Sequence, residues 1–232
     1  MYKAIIFDLD NTLLNYNFSE NAALRRTLNE HDLFVHDEAG WDAFWDSYSQ
    51  HNFRYWIDFV NHLGPHKSIE EVLRSSFRET LQMHDALHTS LAETYWHYFC
   101  NSCDFEEGAD SLLDTLQSDF SYKLGIISNG IGFAQRKRLD TGNISDRFHS
   151  IVVSDEAGVR KPRKEIFDIS LHELQLDRNE VMFIGDSLTD DYYGSINAGI
   201  DFCFYNRGNV AIPNDIKPKY TISGIADLLQ II

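Results

Sequence analysis

A chain of 232 residues is long enough for one large domain, or for a core plus a smaller unit, with a packed interior. Its formal net charge of −16 excludes nucleic-acid polymers and anionic membranes as partners, since both would repel it. A small phosphate ester stays open, because a local cation can dominate at a single site.

Chain order begins with Ala4-Ile5-Ile6-Phe7, four apolar residues that read as a short buried strand. Met1-Tyr2-Lys3 runs straight into it with no basic segment followed by an apolar one, so a cytoplasmic protein is expected. Asp8 and Asp10 follow at the strand's end. Side chains alternate along an extended chain, which predicts both carboxylates on the same side. Their repulsion needs an offsetting metal, shared proton or lysine. The carboxyl end of a strand in an open parallel sheet faces the ligand crevice, so position and chemistry together predict an active site.

The middle of the chain is helical by periodicity. Trp41, Phe44, Trp45 and Tyr48 make one apolar stripe, and Phe53, Trp56, Ile57 and Val60 repeat the spacing. Gly64-Pro65 interrupts before Ile69, Leu73, Phe77 and Leu81; Leu91, Tyr95, Tyr98 and Phe99 form the last stripe. These stripes predict the core of a helical bundle inserted after the first strand, with hinges at Asn15 to Phe18 and Ser102 to Gly108. Cys100-Asn101-Ser102-Cys103 ends a helix and lacks a second ligand pair, so neither redox chemistry nor zinc is expected of it. His84 and His88 stand four apart without a third ligand, and are read as surface or packing residues.

Further strands are predicted near 123–127, 150–153, 181–184 and 202–205, and no stretch approaches a transmembrane helix. Lys123 to Ile127 leads into Ser128-Asn129-Gly130. Ile151 to Val153 leads to Arg160-Lys161-Pro162. Val181 to Ile184 leads into Gly185-Asp186-Ser187, with Asp190 and Asp191 beyond. The repeated order of strand, polar residue and helix predicts an α/β fold with a doubly wound parallel sheet.

Asp8-x-Asp10-x-Thr12, Ser128, Lys161-Pro162 and Gly185-Asp186-x-x-x-x-Asp191 resemble, in order, the four motifs of the haloacid dehalogenase (HAD) superfamily of phosphatases. The resemblance implies a HAD-like core over residues 1–14 and 106–232 and a helical cap over 15–105. It implies Mg²⁺ as cofactor, held by Asp8, the Asp10 backbone carbonyl and Asp186. Asp8 is then the nucleophile, Asp10 the acid and base on the leaving alcohol and the water, and Lys161 the cation aimed at the phosphoryl group. Thr12, Ser128, Asn129 and Lys161 are implied at the phosphate, with Thr12 hydrogen-bonding the first loop. Asp191, with Asp190 as the alternative, holds Lys161 or a metal-bound water.

The segments Ser128-Asn129-Gly130, Gln135, Arg138-Leu139, Asp155 to Val159 and Ile196 to Gly199 are similar to the group containing the noncanonical pyrimidine 5′-nucleotidases. A nucleoside 5′-monophosphate is therefore the expected substrate, acted on by a monomer or homodimer. The alternatives are a sugar phosphate such as N-acylneuraminate 9-phosphate, a phosphomutase, and least of all a 2-haloacid dehalogenase, which dispenses with the second aspartate. Arg160 is expected to pair with a neighbouring acid.

Overall fold

The computed structural model of the chain describes residues 2–82, 85–118 and 122–232. Its residues fall into two compact units, Met1–Ser19 with Cys100–Ile232, and Glu20–Phe99.

The first unit is built on a parallel sheet of β1 (Ala4–Phe7), β2 (Lys123–Ser128), β3 (Ser150–Val153), β4 (Val181–Gly185), β5 (Asp201–Tyr205) and β6 (Tyr220–Ile222). The spatial order is β3-β2-β1-β4-β5-β6. The chain winds outward from β1 in one direction, then returns to β4 on its other side and winds the opposite way. That reversal between β1 and β4 opens a crevice at their carboxyl ends, where ligands bind in such sheets. β6 has only three residues, Tyr220 half-buried, Thr221 exposed and Ile222 buried, too short a run to register as a pattern in the sequence.

The second unit comprises most of α1 (Tyr16–Glu30) together with α2 (Glu38–Val60), α3 (Ile69–Leu81) and α4 (Asp85–Cys100). Tyr48 of α2 lies with its ring 4.9 Å from that of Phe77 on α3 and 6.4 Å from that of Tyr95 on α4. Trp41, Phe44, Leu73 and Leu91 are buried around them. The second predicted stripe of α2 holds only in part, for Trp56, Ile57 and Val60 are half-buried but Phe53 is 67% exposed. α2 is one continuous helix, and at 3.6 residues per turn Phe53 stands about 140° round from Tyr48. The inner face runs instead through Asn52, which accepts from the Ser76 hydroxyl at 3.2 Å, and Tyr55, whose ring meets His66 at 4.8 Å. His88 is buried, and His84 lies outside the described residues.

α5 (Ala109–Ser118), α6 (Gly132–Thr141), the single turn α7 (Ser154–Ala157), α8 (Lys164–Leu174) and α9 (Tyr193–Ala198) complete the first unit. Strand alternation sorts its core into two faces. Ile5, Phe7, Leu124, Ile126, Met182 and Ile184 pack with Leu112 and Leu116 of α5 and Leu139 of α6. Ala4, Ile6, Ile127, Phe183, Phe202 and Phe204 pack with Phe167 and Leu171 of α8 and Ala198 of α9. Both faces are covered, so each strand reads as an unbroken apolar run.

The segments expected as hinges are zipped together. Asn15 N–H donates to Asp104 C=O at 2.7 Å, Glu106 N–H to Leu13 C=O at 2.9 Å, and the Ser19 hydroxyl to the Asp104 carboxylate at 2.8 Å. These bonds keep residues 15–19 and 100–105 with the sheet, so the compact units divide five or six residues inside the limits drawn from the sequence. Burial pushes the Cys100 and Cys103 thiols up to about 12 and 11, which leaves them protonated and unreactive at neutral pH.

Phe167 is fully buried, its ring edge-on to Phe183 at 5.1 Å, whereas Phe133 is 65% exposed. Phe167→Ala should cost about 3–5 kcal/mol in urea unfolding. Phe133→Ala should change stability by no more than about 0.5 kcal/mol.

Candidate active site

Asp8 is the first residue past β1, and its N–H continues the ladder by donating to Ile184 C=O at 2.8 Å. Its side chain is therefore fixed at the mouth of the crevice and almost wholly buried. Lys161 arrives from the loop after β3, in a cis Lys161–Pro162 peptide, and Pro162 sits ahead of α8 rather than within it. Asn129, just past β2, grips the backbone of Lys161 twice. Its carbonyl oxygen accepts from Lys161 N–H at 2.8 Å and its amide donates to Lys161 C=O at 3.0 Å.

So held, Lys161 Nζ donates to Asp8 Oδ1 at 2.6 Å and to Asp191 Oδ1 at 2.7 Å. The ammonium is 2% exposed and lies 5.4 Å from the Phe183 ring centre. The other oxygen of Asp191 accepts from Ser187 N–H at 2.9 Å. A Cβ at Gly185 would overlap the Asp191 carboxylate, so this approach requires glycine there. Asp190, the neighbouring acid, turns the other way and accepts from the Asn129 amide at 3.0 Å.

Carboxylate oxygens of Asp8, Asp186 and Asp191 lie within 4.8 Å of one another. Burial pushes Asp8 well above the usual carboxylate range; Lys161 opposes the shift, and Asp191 and Asp186 reinforce it. Burial likewise raises Asp186 to about 7, helped by the Asp191 charge. Burial also raises Asp191, against the pull of Lys161. For Lys161 burial acts downward, but the Asp191 and Asp8 carboxylates outweigh it and the ammonium is held. The Lys161 ammonium thus faces two buried acids and the half-buried Asp186.

Asp10 is not in that cluster. Extended alternation would have put it beside Asp8, but β1 ends at Phe7 and the chain turns at once. Leu9 C=O accepts from Leu13 N–H at 3.0 Å and Leu14 N–H at 2.9 Å, and Asn11 takes a left-handed φ of 60°. The turn aims the Asp10 carboxylate at α6, where Arg138 Nη1 donates to Oδ1 at 2.5 Å and Gln135 Nε2 to Oδ2 at 2.6 Å. Gln135 Nε2 also donates to the Ser128 hydroxyl at 3.0 Å. Arg207, unnoticed in the sequence, braces the same turn by donating to Asn11 Oδ1 at 2.7 Å while pairing with Glu106 at 2.9 Å.

Other sequence expectations meet different outcomes. Thr12 Oγ1 is buried without a hydrogen-bond partner among the described residues, so it does not tie the first loop as expected. The Asn129 side chain is engaged by Lys161 and Asp190 rather than free for an anion. Arg160 forms no ion pair among the described residues, against the pairing expected for it.

Over residues 5–205 the sequence matches the family described as Haloacid dehalogenase-like hydrolase. It is 31% identical over 229 residues to Pyrimidine 5′-nucleotidase YjjG of Escherichia coli, across 98% of this chain and 96% of that protein. To Pyrimidine 5′-nucleotidase PynA of Streptococcus pneumoniae it is 29% identical over 231 residues, across 99% and 94%. Among solved structures, the HAD-hydrolase YfnB of Bacillus subtilis bound to magnesium is similar with a TM-score of 0.81 at 27% identity, covering 99% of this chain and 98% of that one. Together with the parallel sheet and the four motifs, these likenesses identify the chain as a member of the haloacid dehalogenase-like hydrolase family.

Proposed function

We propose that this hydrolase is a Mg²⁺-dependent phosphomonoesterase acting through an aspartyl-phosphate on Asp8, with a nucleoside 5′-monophosphate as substrate. The observation that carries the reading is the Asp8 carboxylate, held by buried Lys161 at the mouth of the sheet crevice, with a second acid two residues on. The nucleotide rests on the likeness to two pyrimidine 5′-nucleotidases over nearly the whole chain.

The donor set fits Mg²⁺. Asp8, Asp186 and Asp191 crowd one ammonium, and burial together with the neighbouring acids holds Asp8 and Asp186 upward. Asp191 has both oxygens engaged, by Lys161 and Ser187 N–H. Asp8 Oδ2 and the Asp186 carboxylate remain for a hard cation, along with the Asp10 backbone carbonyl. When bound, such an ion neutralises charge on the phosphoryl oxygens.

Asp8 attacks phosphorus through a carboxylate oxygen, forming an O–P bond as the bond to the ester oxygen breaks. Lys161 offers its charge to the phosphoryl oxygens and keeps Asp8 aligned. The Ser128 and Thr12 hydroxyls are suited to those same oxygens. Asp10, protonated before the attack, gives that proton to the departing alkoxide. It then takes one from the water that attacks the acyl-phosphate, releasing phosphate and restoring Asp8.

Phosphate release with Mg²⁺ should be measured on a panel of pyrimidine and purine 5′-monophosphates, sugar phosphates and phosphoglycolate. Pyrimidine monophosphates are expected to show the highest kcat/KM, and preference for a sugar phosphate would discard the substrate while keeping the chemistry. Asp8→Asn should lower kcat by about 10³-fold or more, with unchanged far-UV circular dichroism. Wild-type turnover in that variant would sink the mechanism.

The raised Asp186 carboxyl also predicts a pH dependence. Asp186 binds its proton up to about pH 7 in the folded chain but only to its ordinary 3.8 when unfolded. Its contribution to stability is therefore complete below pH 3.8, falls as pH rises between about 4 and 7, and is flat above. In thermal unfolding with chelator, Asp186→Asn should raise Tm at pH 8 and leave it nearly unchanged at pH 4. Added Mg²⁺ should raise the wild-type Tm more at pH 8 than at pH 5; an equal rise at both would contradict this charge accounting.

A further inference from the structure

Helix α6 starts two residues beyond the Ser128-Asn129-Gly130 turn, and Gln135 and Arg138 stand three apart on one of its faces. That face is buried, so an apolar pair would be the expected filling. Instead Gln135 is 3% exposed and Arg138 is 0% exposed. A guanidinium in such a place carries a large desolvation cost, and a buried ion pair is seldom the most stable choice there. Both side chains converge on Asp10. Arg138 Nη1 reaches Oδ1 at 2.5 Å and Gln135 Nε2 reaches Oδ2 at 2.6 Å, while Arg138 Nη1 also donates to Gln135 Oε1 at 3.1 Å. Each Asp10 oxygen therefore has its own donor, and the two donors are tied to each other.

Two further features serve the same arrangement. A Cβ at Gly130 would overlap the Gln135 carboxamide, so the glycine of the turn leaves the gap through which Gln135 reaches Asp10. Gln135 also donates to Ser128 Oγ at 3.0 Å, which links the acid to the hydroxyl placed above among the phosphate ligands. The Asp10 side chain is still 25% exposed, leaving its outer edge open to a reacting group.

We infer that Gln135 and Arg138 are positioning residues that fix the orientation of the Asp10 carboxyl for proton transfer to the leaving alcohol. The inference rests on the phosphatase reading above, since it presumes that role for Asp10. The effect of both residues passes through Asp10, and a carboxyl free to rotate about its own bonds loses alignment with the ester oxygen. Mispositioning of this kind is worth about 10²-fold in rate.

The test separates positioning from mere packing by the leaving group. kcat/KM covers only the steps up to loss of the alcohol, so hydrolysis of the aspartyl-phosphate does not enter. Uridine 5′-monophosphate releases an alkoxide that needs a proton; p-nitrophenyl phosphate releases a stable phenoxide that does not. Should the panel rank another alkyl phosphate higher, that ester replaces the nucleotide. Gln135→Met and Arg138→Met should each lower kcat/KM by about 10²-fold on the alkyl ester. On the aryl ester each should change it by less than about threefold, the pattern also expected of Asp10→Asn. Adding Gln135→Met to Asp10→Asn should bring no further loss on the alkyl ester. Arg138→Lys, which keeps the charge without the planar fork, should recover part of the loss. Equal losses on both esters in Gln135→Met, or additive losses in the double variant, would overturn the inference even if Arg138→Met failed to fold. A wild-type protein no faster than Asp8→Asn on either ester would instead remove the phosphatase reading, and this inference with it.

Discussion

Around the Lys161 ammonium, buried between Asp8 and Asp191, the rest of the site is arranged. A buried amine survives as a cation only where carboxylates surround it, and a buried carboxylate stays charged only beside a cation, so neither partner can be taken away alone. The neighbouring structure serves that mutual need. Asn129 holds the Lys161 backbone from both sides, Gly185 leaves room for the Asp191 carboxylate, and Ser187 N–H occupies the oxygen that Lys161 does not use. The three contributing segments follow β1, β3 and β4, so the ion pairs also join separate crossovers of the sheet at its carboxyl edge.

Two aspartates one residue apart end up with unrelated partners. Asp8 belongs to the lysine and to the acids that follow β4; Asp10 belongs to α6. The turn at Leu9 makes the division, and Arg207 steadies it from the far side through Asn11. Under the proposed mechanism the two acids need different surroundings, and the loop supplies them without lengthening the chain between the two.

Much of this was legible in the sequence, for identifiable reasons. Strands buried on both faces read as apolar runs, and the polar residue ending each run marks the crevice edge, which is why β1 to β5 and the residues after them stand out. The three-residue β6 gives no such run. Periodicity found α2 but not its phase, because two stripes out of register in one helix cannot both face inward, and Asn52 bonded to Ser76 and Tyr55 against His66 show which face does. The direction of Asp10 depends on a turn whose geometry lies in backbone hydrogen bonds. Gln135 and Arg138 do leave a trace, two polar residues on what should be the apolar face of α6, but their target is more than 120 positions away.

The zipped segments on either side of the helical unit bear on how such a unit is accommodated. Because Asn15 bonds Asp104 and Leu13 bonds Glu106, the sheet unit meets the insertion as a closed loop with its ends already joined. The entropy of closing a flexible loop grows only with the logarithm of its length, about 0.6 kcal/mol for each doubling. Lengthening a short turn of about 10 residues to the roughly 80 of Glu20–Phe99 is three doublings, on the order of 2 kcal/mol. A unit with its own aromatic core can offset that amount by itself. The insertion point therefore constrains the length and sequence of what it carries very little, and the helical unit is free to vary while the sheet and its ion pairs stay as they are.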